Sequence, residues 1–376
     1  PYPVVEGRLH RPRLRRLFVR SELQHAFKIS SLILRYRPEM VVLDEILLAV
    51  FAAKRLGSRL GFVTHAPTFP RPPLGVDPNL ALASALMNSL RRRAILAADV
   101  AFYVGSREHL PEARLWPWVQ KHMQVVGLVS NDHRPSITRA DIFKRLQLSP
   151  DRPLVVATVG ALDMGRYMLA AALEAWPLVS MPEAQLMVVC GPSIDPAGLP
   201  AAPSDRVRVL GLVDDLPAYL AAADLAIVQA GLTTVSECLA LGTPMICVPV
   251  KWHREQENNA RYAAAMGDAG VLDRDDVTPV RLAQEVARFL GRPRPVRRSP
   301  DGDRSLTLTD GAHRTAMHIN SFLQSPRPPA RQALIDTVPV GLDSRRKPYE
   351  ASEPRETLNA IPLKNEEQLP DSCCRR

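Results

Sequence analysis

Short apolar runs recur through the second half of the chain, each separated from the next by a stretch of helical pattern, and that alternation leaves few folds open. The runs are Leu154-Val155-Val156-Ala157-Thr158-Val159, Leu186-Met187-Val188-Val189-Cys190, Arg206-Val207-Arg208-Val209-Leu210, Leu225-Ala226-Ile227-Val228 and Met245-Ile246-Cys247-Val248-Pro249. Most are near-continuous in apolar character, as strands covered on both faces are. Helices are predicted between them over residues 167–176, 216–222 and 233–241. Strands joined by helical crossovers pair in parallel, so the rhythm predicts a parallel sheet flanked by helices. The first part repeats it with strands at Pro38-Glu39-Met40-Val41-Val42-Leu43-Asp44, Leu60-Gly61-Phe62-Val63-Thr64-His65, Val100-Ala101-Phe102-Tyr103-Val104 and Val125-Val126-Gly127. Helices are predicted between these over 49–56 and 80–96. The fold class is therefore α/β with two doubly wound units, and 376 residues are enough for two separate cores.

Residues 228–260 carry the chemistry. Gln229-Ala230-Gly231 follows an apolar strand, and Gly231 permits a sharp turn or close approach to a ligand. Thr233 and Thr234 open a helix that runs to Leu241 and stops at Gly242, with Pro244 beyond. Unpaired N–H groups and the dipole at such a helix start favour an anion. The same residues have a plainer reading: Thr234-Val235-Ser236-Glu237 matches a capping box, in which Glu237 closes back onto its own helix. The next element favours a site. Its loop holds Lys251, His253, Arg254, Glu255, Gln256, Asn258 and Asn259, groups suited to hydroxyl recognition. Loops after strand carboxyl ends line the crevice of an open parallel sheet. The expected arrangement is a solvent-open cradle formed by the amides around Thr234 with the Glu237 carboxylate beside them.

Residues 212–272 resemble the C-terminal half of GT-B glycosyltransferases, most closely the branch that includes the N-acetylglucosaminyltransferase of lipid II synthesis. The matching residues are Val213-Asp214-Asp215-Leu216, Ala223-Asp224, Gly231, Thr234-Val235-Ser236-Glu237, Gly242-Thr243-Pro244, Pro249, Gln256 and Asn259-Ala260. The resemblance implies two Rossmann-like domains facing a cleft, the first incomplete. It divides the chain into an acceptor-side domain over 1–135, a nucleotide-sugar domain over 136–324 and a disordered Pro-rich tail over 325–376. It also implies a donor site made of Gly160, Gln229, Ala230, Gly231, Thr233, Thr234, Glu237, Glu255 and Gln256. In that site the turn and Thr234 hold the diphosphate, Glu237 the ribose, and Gln256 with its acidic neighbour the sugar. Gln229 stands where many relatives carry histidine, so its contact with phosphate brings no positive charge. The family's base lies in a Gly-rich loop near the domain start, and nothing before Pro38 matches that loop. His65, after a strand, is a candidate for acceptor contact.

The implied activity is transfer of a hexosyl or N-acetylhexosaminyl group from a UDP-sugar to an acceptor hydroxyl. The nucleotide-sugar is the donor substrate, no cofactor or metal is implied, and the acceptor is a sugar, a lipid or another small molecule. A non-hydrolysing sugar-nucleotide epimerase and a catalytically incomplete binding or scaffolding subunit are the alternatives. Asp273-Arg274-Asp275 has D-x-D spacing but reads as a solvated loop.

Charge bears on partners. Residues 1–37 hold nine Arg or Lys against two Glu, a net +7 within a chain of net +9. Aromatic interleaving is sparse and no reader motif occurs, which argues against nucleic acid and for a solvated or membrane-facing segment. Arg91, Arg92 and Arg93 suit the end of a helix, or alternatively an anionic membrane surface. Cys190, Cys238 and Cys247 fit a reduced core, and Cys373 and Cys374 an inert tail. With no apolar run of membrane-spanning length, the expected location is cytoplasmic or peripheral to a membrane.

Overall fold

A computed structural model describes residues 4–5, 8–9, 11–68, 78–110, 113–130, 137–161, 163–251, 253–266, 269–292 and 310–326. The predicted tail lies outside the described residues beyond Pro326, as do Cys373 and Cys374.

The first lobe begins with a short antiparallel pair, β1 (Val4–Val5) and β2 (Arg8–Leu9), followed by α1 (Arg11–Tyr36). Then come β3 (Met40–Asp44), α2 (Leu47–Arg55), β4 (Arg59–Thr64), α3 (Pro78–Ala97), β5 (Val100–Val104), α4 (Trp116–His122) and β6 (Gln124–Gly127). Its four strands are parallel in the order β3-β4-β5-β6. Their core is built on Leu43, Leu47, Leu60, Phe62 and Tyr103. The basic segment expected to be solvated is in large part the helix α1, which packs along α2. The Glu22 carboxylate accepts from Leu48 N at 2.8 Å, and α2 has no side-chain cap of its own at Ile46. A carboxylate from α1 thus satisfies the start of α2.

The second lobe comprises α5 (Arg139–Leu146), β7 (Leu154–Thr158), α6 (Arg166–Ala175), β8 (Gln185–Val189), β9 (Val207–Leu210) and α7 (Leu216–Ala222). It continues with β10 (Leu225–Val228), α8 (Leu232–Leu241), β11 (Met245–Cys247), α9 (Arg254–Ala265), β12 (Ala269–Val271) and α10 (Pro279–Leu290). Six parallel strands lie in the order β12-β11-β10-β7-β8-β9. The chain therefore builds outward from β7 on one side and then on the other, the doubly wound pattern. Both faces are covered by apolar clusters, one under α6 and α10 and one under α5, α7 and α8. This explains the near-continuous apolar runs. Gly242 ends α8 at φ 67, where a side chain would be strained. Cys190, Cys238 and Cys247 are free thiols in these cores.

The last helix, α11 (Gly311–Gln324), returns to the first lobe. Gly311 N donates to Leu128 O at 2.8 Å, and a Cβ at Gly311 would stand 2.6 Å from that oxygen. At the far end, buried Arg59 of β4 donates to Phe322 O, Leu323 O and Ser325 O, closing the C-terminus of α11.

Candidate functional site

Strand order locates the crevice. Between β7 and β10 the connections leave in opposite directions, so the loops after these two adjacent strands diverge and open a gap beyond their carboxyl ends. Gly160 lies in the first loop, and Gln229, Ala230 and Gly231 form the second. A Cβ added at Gly160 or at Gly231 would meet no heavy atom within 4 Å, so both glycines face open space. A backbone bordering open space at a strand-end crevice is one a ligand can approach closely.

The helix start beside it carries no side-chain cap. α8 begins at Leu232 with Gly231 as N-cap, a residue with no side chain to cap the first turn. Thr234 is therefore the third residue of the helix and not its cap, so the capping box that would have confined Glu237 to local duty is not formed. Ser236 Oγ instead donates to Leu232 O at 2.8 Å. The amides of Leu232, Thr233 and Thr234 belong to the turn that lacks intrahelical acceptors. Thr233 is exposed and Thr234 half-buried, so these amides lie near the surface, at the positive end of the helix dipole.

Two details set this turn apart from ordinary packing. Ala230 has φ 61, a left-handed conformation that costs an L-residue roughly 1–2 kcal/mol. Asn259 of α9 holds it there, donating from Nδ2 to Ala230 O at 3.1 Å. Next to it, Gln229 is buried and its Nε2 has no hydrogen-bond partner among the described residues. A buried donor without an acceptor costs about 1–3 kcal/mol, so such groups call for an explanation. Gln229 reaches toward the β7 loop, because a Cβ at Gly165 would lie 3.2 Å from its Oε1. The amide thus lies between the two loops and beneath the crevice, its Nε2 closed off from solvent.

Glu237 departs from the expected cradle. Its carboxylate is not open to solvent: the residue is 5% exposed, in the buried run Val235, Ser236, Glu237 and Cys238. Val235 and Cys238, close to it in α8, pack into the sheet cluster.

Glu255 and Gln256 lie on a helix, where a loop was expected. α9 starts at Arg254, with His253 as N-cap accepting from Gln256 N at 3.5 Å. Gln256 is buried and its Oε1 accepts from Val250 N at 2.8 Å, which ties the β11–α9 connection to the helix. One end of the amide expected to face a sugar is thus committed to backbone. Lys251 is paired with Asp275, the last residue of the D-x-D sequence, on a short 3-10 turn over Arg274–Asp276.

His65, expected to face an acceptor, meets Glu255 instead. It follows β4 in the first lobe, and its Nε2 lies 3.0 Å from Glu255 Oε2. On its other side Nδ1 is 3.5 Å from Glu45 Oε1, and His65 N donates to that same oxygen at 3.2 Å. Arg91 closes the cluster, with Nη2 2.6 Å from Glu45 Oε2 and Nη1 3.1 Å from Thr64 Oγ1. Burial alone would lower the His65 pKa, but the Glu255 hydrogen bond and charge, with help from Glu45, lift it to about 9. Burial would raise Glu255, and His65 overcomes that to hold its pKa below the ordinary carboxylate value. His65 is therefore an imidazolium at neutral pH.

The cluster also revises the arginine triplet of α3. Arg91 is buried and ion-paired, whereas Arg92 and Arg93 are exposed and Arg92 stacks over Trp118 at 5.4 Å. A second contact joins the lobes further along α9. The rings of Tyr262 and His109 lie 3.6 Å apart between centroids, and Leu232 packs against the Phe102, Val104 and Val126 cluster. Sequence reasoning missed Glu45, His109 and Tyr262, since each is defined by a partner in the other lobe or on another element. A charged residue directly after an apolar strand, as Glu45 is, was the available signal.

Comparison with known proteins bears on the family and the fold. Residues 155–301 match the glycosyltransferase family 28 C-terminal domain. The UDP-N-acetylglucosamine–N-acetylmuramyl-(pentapeptide) pyrophosphoryl-undecaprenol N-acetylglucosamine transferase of Methylobacterium radiotolerans is 31% identical over 199 residues, 50% of this chain and 53% of that protein. The transferase of the same description from Clavibacter michiganensis is 28% identical over 273 residues, 70% of this chain and 69% of its own length. Over the first relatives matched, the chain spans from 31% to 53% of their length. Among solved structures, the calicheamicin glycosyltransferase CalG4 superposes with a TM-score of 0.54 at 16% identity, covering 84% of this chain and 81% of that one. A Listeria monocytogenes protein assigned as a UDP-N-acetylglucosamine 2-epimerase gives 0.53 at 16% identity, covering 83% and 82%. At such identities the likeness establishes the fold, and the fold is GT-B.

Proposed function

We propose that this chain, which has a GT-B fold and whose residues 155–301 match the glycosyltransferase family 28 C-terminal domain, transfers a hexosyl or N-acetylhexosaminyl group from a UDP-sugar to an acceptor hydroxyl. One observation carries the reading: the orphaned Gln229 amide, the uncapped start of α8 and the open backbone at Gly160 and Gly231 converge on the reversal point of the sheet. A diphosphate would accept from the amides at Leu232, Thr233 and Thr234 and from Gln229 Nε2. Each charge-assisted hydrogen bond contributes about 1.5–3 kcal/mol. As the sugar departs, negative charge grows on the same oxygens, so preorganised donors stabilise the transition state more than the ground state.

The remaining roles follow from position. Ala230 and Asn259 hold the turn in shape, and Glu255 at the head of α9 faces the transferred sugar with Gln256 securing the loop behind it. Glu237, buried as it stands, reaches a ribose hydroxyl once the groups covering it move. Acceptor deprotonation needs a general base. His65 is not that base, being protonated and paired on both nitrogens. We further assign the acceptor side to an anionic membrane surface carrying a lipid-linked acceptor. Leu23, Phe27 and Leu34 form an exposed stripe on α1, flanked by Arg20, Lys28 and Arg35. Among the described residues no helix is long and apolar enough to cross a membrane.

Incubation with UDP-N-acetylglucosamine and other UDP-sugars, with and without lipid-linked or sugar acceptors, tests the proposal. UDP release that depends on the acceptor is expected. Conversion of the sugar without any acceptor would instead identify an epimerase, and binding without turnover a scaffolding subunit.

A further inference from the structure

Glu255 is held by a residue of the other lobe. It occupies the second position of α9, and its Oε2 lies 3.0 Å from His65 Nε2, presented by the turn after β4. His65 is itself fixed from behind. Its backbone N–H donates to Glu45 Oε1, and Glu45 is anchored by Arg91 and by Thr64 Oγ1. Glu45 takes a left-handed backbone, φ 59, to reach that position. A chain of charges thus runs from α3 through the β3–α2 turn and His65 to the head of α9. Further along the same helix, Tyr262 lies against His109. α9 therefore meets the first lobe near both ends and meets the Ala230 turn through Asn259.

We infer that His65 is a positioning residue: it holds the Glu255 carboxylate in place for the transferred sugar, so the sugar end of the donor site is complete only when the two lobes are together. The inference rests on the nucleotide-sugar reading of this crevice and deepens it. Oε2 takes the imidazole, leaving Oε1 for a sugar hydroxyl. The nucleotide end takes its polar groups from α8, the turn before it and the β7 loop, all in the second lobe, and meets the first lobe through apolar packing on Leu232. Recognition thereby divides into a diphosphate part that belongs to one lobe and a sugar part that needs both.

The division can be read by calorimetry with UDP and with UDP-N-acetylglucosamine as separate probes. His65→Ala should leave UDP affinity at the wild-type value and weaken UDP-N-acetylglucosamine by about tenfold, the equivalent of one charge-assisted hydrogen bond. His65→Gln retains a donor toward Glu255 and should restore most of the loss. Adding His65→Ala to Glu255→Gln should produce no further loss. The ratio of the two affinities should also fall as wild-type His65 loses its proton near pH 9 and stay level in His65→Gln. The other ionisable groups facing His65 are Asp44, Glu45, Arg91, His253 and Glu255, and only His65 among them is assigned the change. Equal losses for both probes in His65→Ala would mean a merely structural clamp and overturn the inference, as would unchanged affinities. Should His65→Ala fail to fold, His65→Gln and Glu255→Gln decide the matter with the same two probes. Failure of wild type to bind either probe would instead remove the nucleotide-sugar reading beneath it.

Discussion

Alanine at Gly165 should destabilise the protein, whereas alanine at Gly160, five residues earlier in the same loop, should not. Gly165 caps α6 and is buried, with φ −99 and ψ 4, so its backbone would accept a side chain and only space forbids one. A Cβ there would lie 2.2 Å from Val159 Cγ1, 2.9 Å from Val159 Cβ and 3.2 Å from Gln229 Oε1. Val159 is packed in the sheet cluster and has little room to retreat. Overpacking of this kind costs about 1–3 kcal/mol. At roughly 2–4 °C per kcal/mol for a domain of this size, the midpoint should fall by roughly 2–12 °C. The displaced Gln229 amide should also lose its aim, weakening UDP by about tenfold. A methyl at Gly160 meets nothing, so Gly160→Ala should keep the wild-type midpoint or gain about 0.4–1 kcal/mol through the unfolded chain. It should still weaken UDP, because it fills space assigned to the ligand. Thermal melts and UDP calorimetry on both variants read the contrast. If Gly165→Ala melts with wild type, the loop packing is misread; if Gly160→Ala binds UDP normally, the assigned phosphate space is wrong.

Asn259→Ala leaves the Ala230 carbonyl without its donor and the left-handed turn without support, so it should cost about 1–3 kcal/mol and weaken UDP as well. A stability loss with unchanged UDP affinity would separate the turn from the site. Arg59→Met removes the donors closing the C-terminus of α11, which should cost about 2–4 kcal/mol and raise amide exchange across residues 311–324 before the rest of the first lobe. Uniform exchange across that lobe would contradict a local role. The His65 pKa is raised by folding, so its contribution to stability is complete below about 6.5 and is lost as pH rises through about 9. That contribution is at most about 3 kcal/mol. Wild type should lose more stability than His65→Gln between pH 7 and 10, and parallel loss in the two proteins would refute it.

Much of the fold could be read because both-face burial writes itself into composition. Runs such as Leu225-Ala226-Ile227-Val228 are apolar at every position, and the helices between them stop at recognisable places such as Gly242. Strand order could not be read, since it depends on which side of β7 each crossover returns to. The switch point, and with it the significance of Gly160 and Gln229 as neighbours, emerges only in three dimensions. α9 hid behind its own polarity: all six residues from Arg254 to Asn259 carry charged or amide side chains, on a helix whose apolar buried residues, Ala260, Tyr262 and Ala263, come later. α1 hid in the same way, its buried Ile33 and half-buried Ala26 and Ile29 lost among arginines. Burial of Glu237 was not visible either, because a T-x-x-E sequence looks the same whether its helix starts at Thr234 or two residues before. The His65–Glu255 pair joins two lobes, and no local pattern announces it.

Where a nucleotide diphosphate settles is the most direct test of this site. A structure of the protein with UDP should place the β-phosphate against the amides of Leu232, Thr233 and Thr234, with Gln229 Nε2 donating to one of its oxygens and Gly160 close beside it. UDP bound elsewhere, or that amide still without an acceptor when the nucleotide is in place, would contradict it.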